Sequence, residues 1–507
     1  MKRFIAYTIF ALLVCYVFAC RQNNTELTDI QNTSAEDLAR TYCGSCHAYP
    51  EPGLLNQEKW QSVLPHMAVR MGIPTEEVKP YAQVKQNEAR RLQVAGVFPD
   101  QPILAEAAWD KIKDFYLNTA PERLETTRPP LLKNNSPFES RIPELKVNNA
   151  PFISMVQFDS AGQLFLADWN GRFFKVDEQF DIIKSTQFPM PIVDYAYNQE
   201  GKLMMLSIGD LYPNDGLYGA VGQLDPDNFS QPRLLFSNLP RPVDMEMGDF
   251  DGDGLEDIVI CNFGNNLGHL SWYRNVGSSY IEQKIKAMPG ASRVIVRDLD
   301  KDQDLDLAVL FAQGDEGVSF FYNEGGEFRE ERVLRFPPVY GSNDLELIDF
   351  DQDGDLDIVT SNGDNGDHSI ILKPYHGVRV FLNEKNQFEE AYFHPLFGAS
   401  KVRARDFDQD GDTDLIAVSF FPDQKNGLAQ SLLYLENQGN WNFSPSHFPQ
   451  ADKGRWMVMD VGDIDQDGDT DVVLGSFTLS NQGISEKLLA EWRKSQNHLL
   501  FLENKTN

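Results

Sequence analysis

Cysteine is scarce in this chain, five among 507 residues, and positive charge is thin. The 45 lysines and arginines are outnumbered by 76 aspartates and glutamates. The resulting formal charge of -31 excludes nucleic acid or an anionic membrane face as a partner for the body of the protein. Three kinds of catalytic apparatus are missing as well: a nucleophile with its base, a phosphate-binding glycine loop and a catalytic zinc motif. A stand-alone enzyme is therefore not the expectation. What remains is ordinary globular material, 41% hydrophobic and 24% charged, long enough for about two to four domains.

Met1-Lys2-Arg3 precede an apolar run from Phe4 to Ala19, the n-region and h-region of a secretion signal, and the run is too short to span a membrane comfortably. Its end, Val17-Phe18-Ala19-Cys20, resembles the lipobox of bacterial lipoproteins. That implies removal of residues 1–19 and lipid on Cys20, the alternative being an uncleaved anchor helix. Residues 20–34 then form a lipidated tether. Arg21, after the cysteine, resembles an outer-membrane sorting signal, so the expected location is the cell envelope, with the lipid anchor holding the protein to a membrane. On this reading Cys15 leaves with the signal. Only Cys261 then stands outside a motif; it follows Ile258-Val259-Ile260 and reads as a small buried hydrophobe.

Tyr42-Cys43-Gly44-Ser45-Cys46-His47 contains Cys-x-x-Cys-His, the pattern of covalent haem c attachment. Two thiols about one helical turn apart reach the two vinyl groups, and the adjacent histidine lies over the iron. A zinc site would need a second Cys or His pair to support it. Ser34, Glu36 and Asp37 mark a helix start, with Leu38 and Tyr42 on one face. Farther on, Ala105 to Leu117 puts Ala108, Trp109, Ile112 and Tyr116 at helical spacing. Through the haem motif, residues 35–122 resemble a small all-α class I-type cytochrome c domain, and the second stretch resembles the helix that packs across such domains. The resemblance implies a distal methionine. Met71 ranks first, with Met67 and His66 as alternatives.

Five segments repeat an acidic signature, with aspartate at positions one, three, five and nine. They are Asp249, Asp251, Asp253 and Asp257; Asp298, Asp300, Asp302 and Asp306; Asp349, Asp351, Asp353 and Asp357; Asp406, Asp408, Asp410 and Asp414; and Asp463, Asp465, Asp467 and Asp471. Alternating carboxylates on a tight turn bring several oxygens to about 2.3–2.6 Å from a hard cation, and up to five Ca2+ are expected. Glycine at position six (Gly254, Gly354, Gly411, Gly468) permits the sharp turn, and the carbonyl at position seven can add a ligand. The second loop has Gln303 at position six and is expected to be the weakest site. These loops hold 24 aspartates among the 76 acidic residues, so much of the negative charge belongs to them.

Each loop runs into an apolar strand and not a helix, which argues against EF-hands. The loop starts lie 49, 51, 57 and 57 residues apart, the period of a four-stranded propeller blade. Over residues 240–507 the repeats resemble the FG-GAP or VCBS family, an integrin-alpha-like calcium-binding propeller. Two upstream segments, from Phe158 and from Tyr197, read as blades without metal carboxylates, which makes seven. The last blade stops at Asn504, and residues 137–142 are expected to supply its outer strand and close the ring. The expected fold class is thus multidomain: an all-α haem domain at 35–122, a linker at 123–135 and an all-β seven-bladed propeller at 136–507.

Long connections at Asn362–His376, Phe421–Gln430 and Ser476–Asn497, on the face opposite the acidic loops, are where binding is expected. The first offers Asp364, Asn365, Asp367, His368, Lys373, Tyr375 and His376 to a polysaccharide or glycan. Charges of alternating sign on the innermost strands, among them Asp244, Arg293, Asp344, Arg405 and Asp460, are expected to join neighbouring blades. The alternative is a polar ligand site at the channel mouth. The functional expectation is a membrane-anchored c-type cytochrome for electron transfer whose propeller docks a redox partner protein or glycan. Two alternatives stand beside it: a haem-coupled oxidoreductase with a carbohydrate-like substrate, and a surface adhesion protein.

Overall fold

The computed structural model describes residues 30–82, 84–127, 136–229, 232–366, 369–425 and 427–506. The signal expected over 1–19 and the lipidation expected at Cys20 lie outside them. Among the described residues no helix is long and apolar enough to cross a membrane. Contacts divide the chain into two units, one of residues up to 82 with Gly96–Arg123, the other of Val84–Ala95 with Leu124 onward.

The first unit is helical. Ser34 caps α1 (Ala35–Cys43), its Oγ accepting from the Asp37 N–H at 3.0 Å. Asn56 caps α2 (Gln57–Arg70) in the same way. The next helix, α3 (Gln86–Val94), groups with the second unit. In α4 (Glu106–Thr119) the stripe Ala108, Trp109, Ile112 and Tyr116 is buried, and the helix packs against α1 and α2. The Tyr116 ring lies 4.4 Å from that of Trp60, and its hydroxyl donates to the Pro50 carbonyl at 2.7 Å. That bond ties the segment after the Cys-x-x-Cys-His motif to the helix pair.

The second unit consists of seven antiparallel sheets of four strands each, the blades of a propeller. Blades one to six span residues 153–187, 192–239, 242–286, 291–335, 342–395 and 399–447, each running from inner to outer strand in chain order. Blade seven takes three strands from residues 456–504 and its outer strand from Phe138–Arg141, which pairs Phe138 with Asn504 and Arg141 with Phe501. The expected closure is therefore present. Second strands such as Asp257–Asn262 and Asp414–Ser419 are buried throughout, because sheets cover both their faces. Each interface between neighbouring blades holds its own apolar cluster, as where Val359 and Val380 meet Leu415 and Leu433.

All seven inner strands carry a β-bulge near their start. In blades two, three and five the residue after the bulge is Asp194, Asp244 or Asp344. Each accepts from a backbone N–H of the next blade's inner strand, at 2.8 Å from Met245, 2.7 Å from Val294 and 3.2 Å from Val402. Arg293 lies 2.7 Å from Asp244, and Arg403 2.8 Å from Asp344. Asp460 accepts from the Phe158 N–H at 2.8 Å and so joins blade seven to blade one. The alternating charges thus link blades, as the first of the two sequence readings holds. Arg297 on the inner strand of blade four donates to the carbonyl of its own neighbour Val296 at 2.9 Å.

Candidate functional site

The five acidic loops share one backbone course. Position four (Gly252, Lys301, Gln352, Gln409, Gln466) has φ between 60° and 70°, and position six has φ between 81° and 100°. A side chain on Gly254, Gly354 or Gly411 would meet nothing within 4 Å, so glycine is needed there for its backbone freedom and not for space. Gln303 adopts φ 81° regardless, at a cost of about 1–2 kcal/mol. The substitution Gln303→Gly is expected to raise the melting temperature by roughly 1–2 °C, about 1 kcal/mol. Calorimetry that finds no gain would show the strain to be relieved elsewhere.

Hydrogen bonds preset the carboxylates. Position one accepts from the N–H of position six in every loop, at 2.9–3.1 Å. Position nine (Asp257, Asp306, Asp357, Asp414, Asp471) is buried. It accepts from the N–H of position two and from that of an asparagine at or next to the end of the third strand: Asn275, Asn323, Asn383, Asn437 or Asn504. The same asparagines donate their side-chain N–H to the position-eight carbonyl at 3.1–3.3 Å. These residues were not singled out from the sequence, although asparagine recurs at or next to the end of each of these third strands.

In blades three, six and seven, oxygens from positions one, three and nine converge, as in Asp249, Asp251 and Asp257. In blades four and five the converging trio is positions one, three and five, as in Asp298, Asp300 and Asp302. Within each trio the oxygens lie within 4.8 Å of one another. A cation holding oxygens at about 2.3–2.6 Å places opposite ones about 5 Å apart, so these donor sets fit a hard divalent ion. Burial pushes the Asp414 and Asp471 carboxyls up to about 7. A bound cation would oppose that shift by favouring the charged form. Blades one and two lack the acids, and there Asp159 and Asn198 merely close the turn, each accepting from backbone N–H groups two and four residues on.

In the helical unit Cys43 ends α1 and Gly44 caps it. A Cβ on Gly44 would lie 2.4 Å from the Arg40 carbonyl oxygen, so the turn returning Cys46 and His47 toward the helix has no room for a side chain. Cys43 and Cys46 are free thiols, and burial pushes the Cys43 thiol up to about 11. The His47 Nδ1 lies 2.9 Å from the Ala48 carbonyl. A carbonyl only accepts, so this nitrogen is the donor, which is how a histidine that ligates a metal through its other nitrogen is commonly held. Two thiols a turn apart with such a histidine fit covalent haem c. Met71 is the buried C-cap of α2, whereas Met67 and His66 lie half-buried within that helix.

In the Asn362–His376 connection Lys373 and His376 are buried, and Tyr375 stacks on Tyr340 at 4.9 Å, so these three side chains pack within their loop. Asp367 and His368 lie outside the described residues. Blade two also has a long connection between Ser207 and Gly219 that the sequence reading passed over. Its Asp215 is buried and accepts from the N–H groups of Asn265, Asn266 and Leu267 at 3.1, 2.7 and 2.8 Å, which locks blade two to blade three.

Residues 249–309, 298–360 and 406–474 match the model of the FG-GAP-like repeat. The chain carries FG-GAP-like repeats. Chicken (Gallus gallus) integrin alpha-V is 31% identical over 215 residues, covering 37% of this chain and 20% of that protein. The chain thus spans about a fifth of the length of that relative. Among solved structures, the N-terminal domain of Nup159 is similar at 12% identity and TM-score 0.43, over 74% of this chain and 96% of that one. The WD40 β-propeller domain of Doa1 is similar at 9% identity and TM-score 0.43, over 72% and 96%. Scores of this size carry no weight for function.

Proposed function

We propose that this protein is an envelope-anchored c-type cytochrome. In this reading its helical unit exchanges electrons with a redox partner protein, and its calcium-stabilised FG-GAP-like propeller docks that partner or a glycan. The observation that carries the haem reading is the pair of free thiols across the end of α1, beside a histidine whose Nδ1 is held by Ala48. Bound there, haem c would supply one-electron chemistry. Cys43 and Cys46 would attach it and His47 would ligate its iron, with Met71, Met67 or His66 as the candidates for the opposite side. The acidic loops would hold Ca2+, and lipid on Cys20 would tie the protein to the outer membrane.

The test is absorption spectroscopy of the purified full-length protein. One covalently bound haem per chain with c-type bands on reduction is expected, and the variant Cys43→Ser with Cys46→Ser should lose all of it. A reduced spectrum without those bands removes the electron-transfer reading. The FG-GAP-like repeats and the likeness to an integrin alpha chain favour a second reading, adhesion at the cell surface. Glycan binding that persists in the haem-free variant would support it.

A further inference from the structure

We infer that Arg274 is the resident counter-ion of the first acidic loop, so that the propeller holds four tight calcium sites and not five. The inference rests on the calcium reading proposed above. Arg274 stands in the third strand of blade three, directly before Asn275. Its Nε pairs with an Asp251 carboxylate oxygen, and its Nη2 lies 3.5 Å from Asp253. Asp251 is one of the three residues whose oxygens converge in that loop. The guanidinium therefore neutralises the carboxylates that an ion entering the loop would need.

The equivalent positions in the other four blades are Tyr322, Leu382, Glu436 and Glu503, none of them basic. In blades six and seven an acid, Glu436 or Glu503, takes the place of Arg274, so no guanidinium stands at that position beside the loop. The first loop also has Leu255 at position seven, where the others have Asp304, Asp355, Asp412 and Asp469. Its extra acid, Glu256, is engaged elsewhere, accepting from the Gln199 N–H of blade two at 2.7 Å. The contrast is thus four aspartates with an arginine in blade three against five aspartates with a glutamate in blades six and seven. Affinity of oxygen sites follows the number of charged ligands, and here an ion must also displace an existing partner. Loop one is accordingly the weakest of the five, a rank that the strained Gln303 gives to loop two when the sequence is read without Arg274. Blade three then resembles blades one and two in holding its turn without metal, and metal dependence is confined to blades four to seven.

The test strips the full-length protein with a chelator and counts Ca2+ by equilibrium dialysis. The wild type is expected to bind four ions tightly, with any fifth at least roughly tenfold weaker. Arg274→Ala and Arg274→Gln are each expected to bind five. Five equivalent sites in the wild type, or four in both variants once circular dichroism shows them folded, overturns the inference and leaves the calcium reading standing. No bound Ca2+ in the wild type removes the calcium reading and the inference with it. Hydrogen exchange of the wild type in chelator reads the same point without a substitution. Protection is expected to persist at 249–257 and to fall at 298–306, 349–357, 406–414 and 463–471. A fall at all five loops together overturns the inference.

Discussion

A protein lacking residues 136–145 is expected to show no cooperative unfolding transition for its propeller. The four residues Phe138–Arg141 are the whole outer strand of blade seven, and without them the edge of Leu499–Asn504 has no partner. The loss reaches the core as well. Phe138 packs against Phe407, Tyr434 and Phe448 with ring centroids 5.5, 5.6 and 6.1 Å away, and Leu145 belongs to the cluster between blades seven and one. Emptying a buried phenylalanine site costs about 3–5 kcal/mol. A domain is stable by about 5–15 kcal/mol in total, and the deletion adds an unpaired strand to that loss. Phe138→Ala alone should keep the fold and lower the melting temperature by several degrees. A calorimetric transition unchanged by the deletion would refute the closure.

Chelation should have an effect of comparable size. Each occupied site contributes about 2.7 kcal/mol when free Ca2+ stands at a hundred times its dissociation constant. Four such sites are enough to shift the melting temperature by on the order of 10 °C. In blades six and seven the position-nine carboxylate would make the dependence a property of the fold, because it belongs to the converging oxygens and is also the acceptor that ties loop to third strand. Removing the ion leaves clustered negative charges around a buried strut. Mg2+ should substitute poorly, since it demands a tighter octahedron than these loops present. An identical transition with Ca2+ and with excess chelator would count against every metal reading made above.

The propeller was legible because its signals are periodic. The acidic loops recur at blade spacing, and the incomplete last blade pointed to residues 137–142 as its missing strand. The loops' inner wiring was less legible, because no periodicity marks which asparagine reaches back to a carbonyl. Position four was overlooked for a related reason. Gln352, Gln409 and Gln466 are not residues that advertise a positive φ, and only the turn around them imposes it. In the Asn362–His376 loop it was burial that the sequence did not disclose. Polar residues in a connection read as exposed, yet Lys373 and His376 are buried in the packing beneath it. Arg274 shows the limit most plainly, since nothing in its sequence neighbourhood connects it to Asp251, more than twenty positions earlier; the hairpin between their strands does so.

The pairing of Phe138–Arg141 with Leu499–Asn504 also sets an order of events during synthesis. The first of these strands emerges from the ribosome before any blade, and its partner only after six blades and most of the seventh. At about 5–20 residues per second the early strand waits for tens of seconds. Throughout that interval the ring is an open arc with two raw ends. The helical unit precedes the arc and can finish folding while the blades are still being made. Maturation of the two halves is thereby separated in time, and the ring locks only when its final strand arrives.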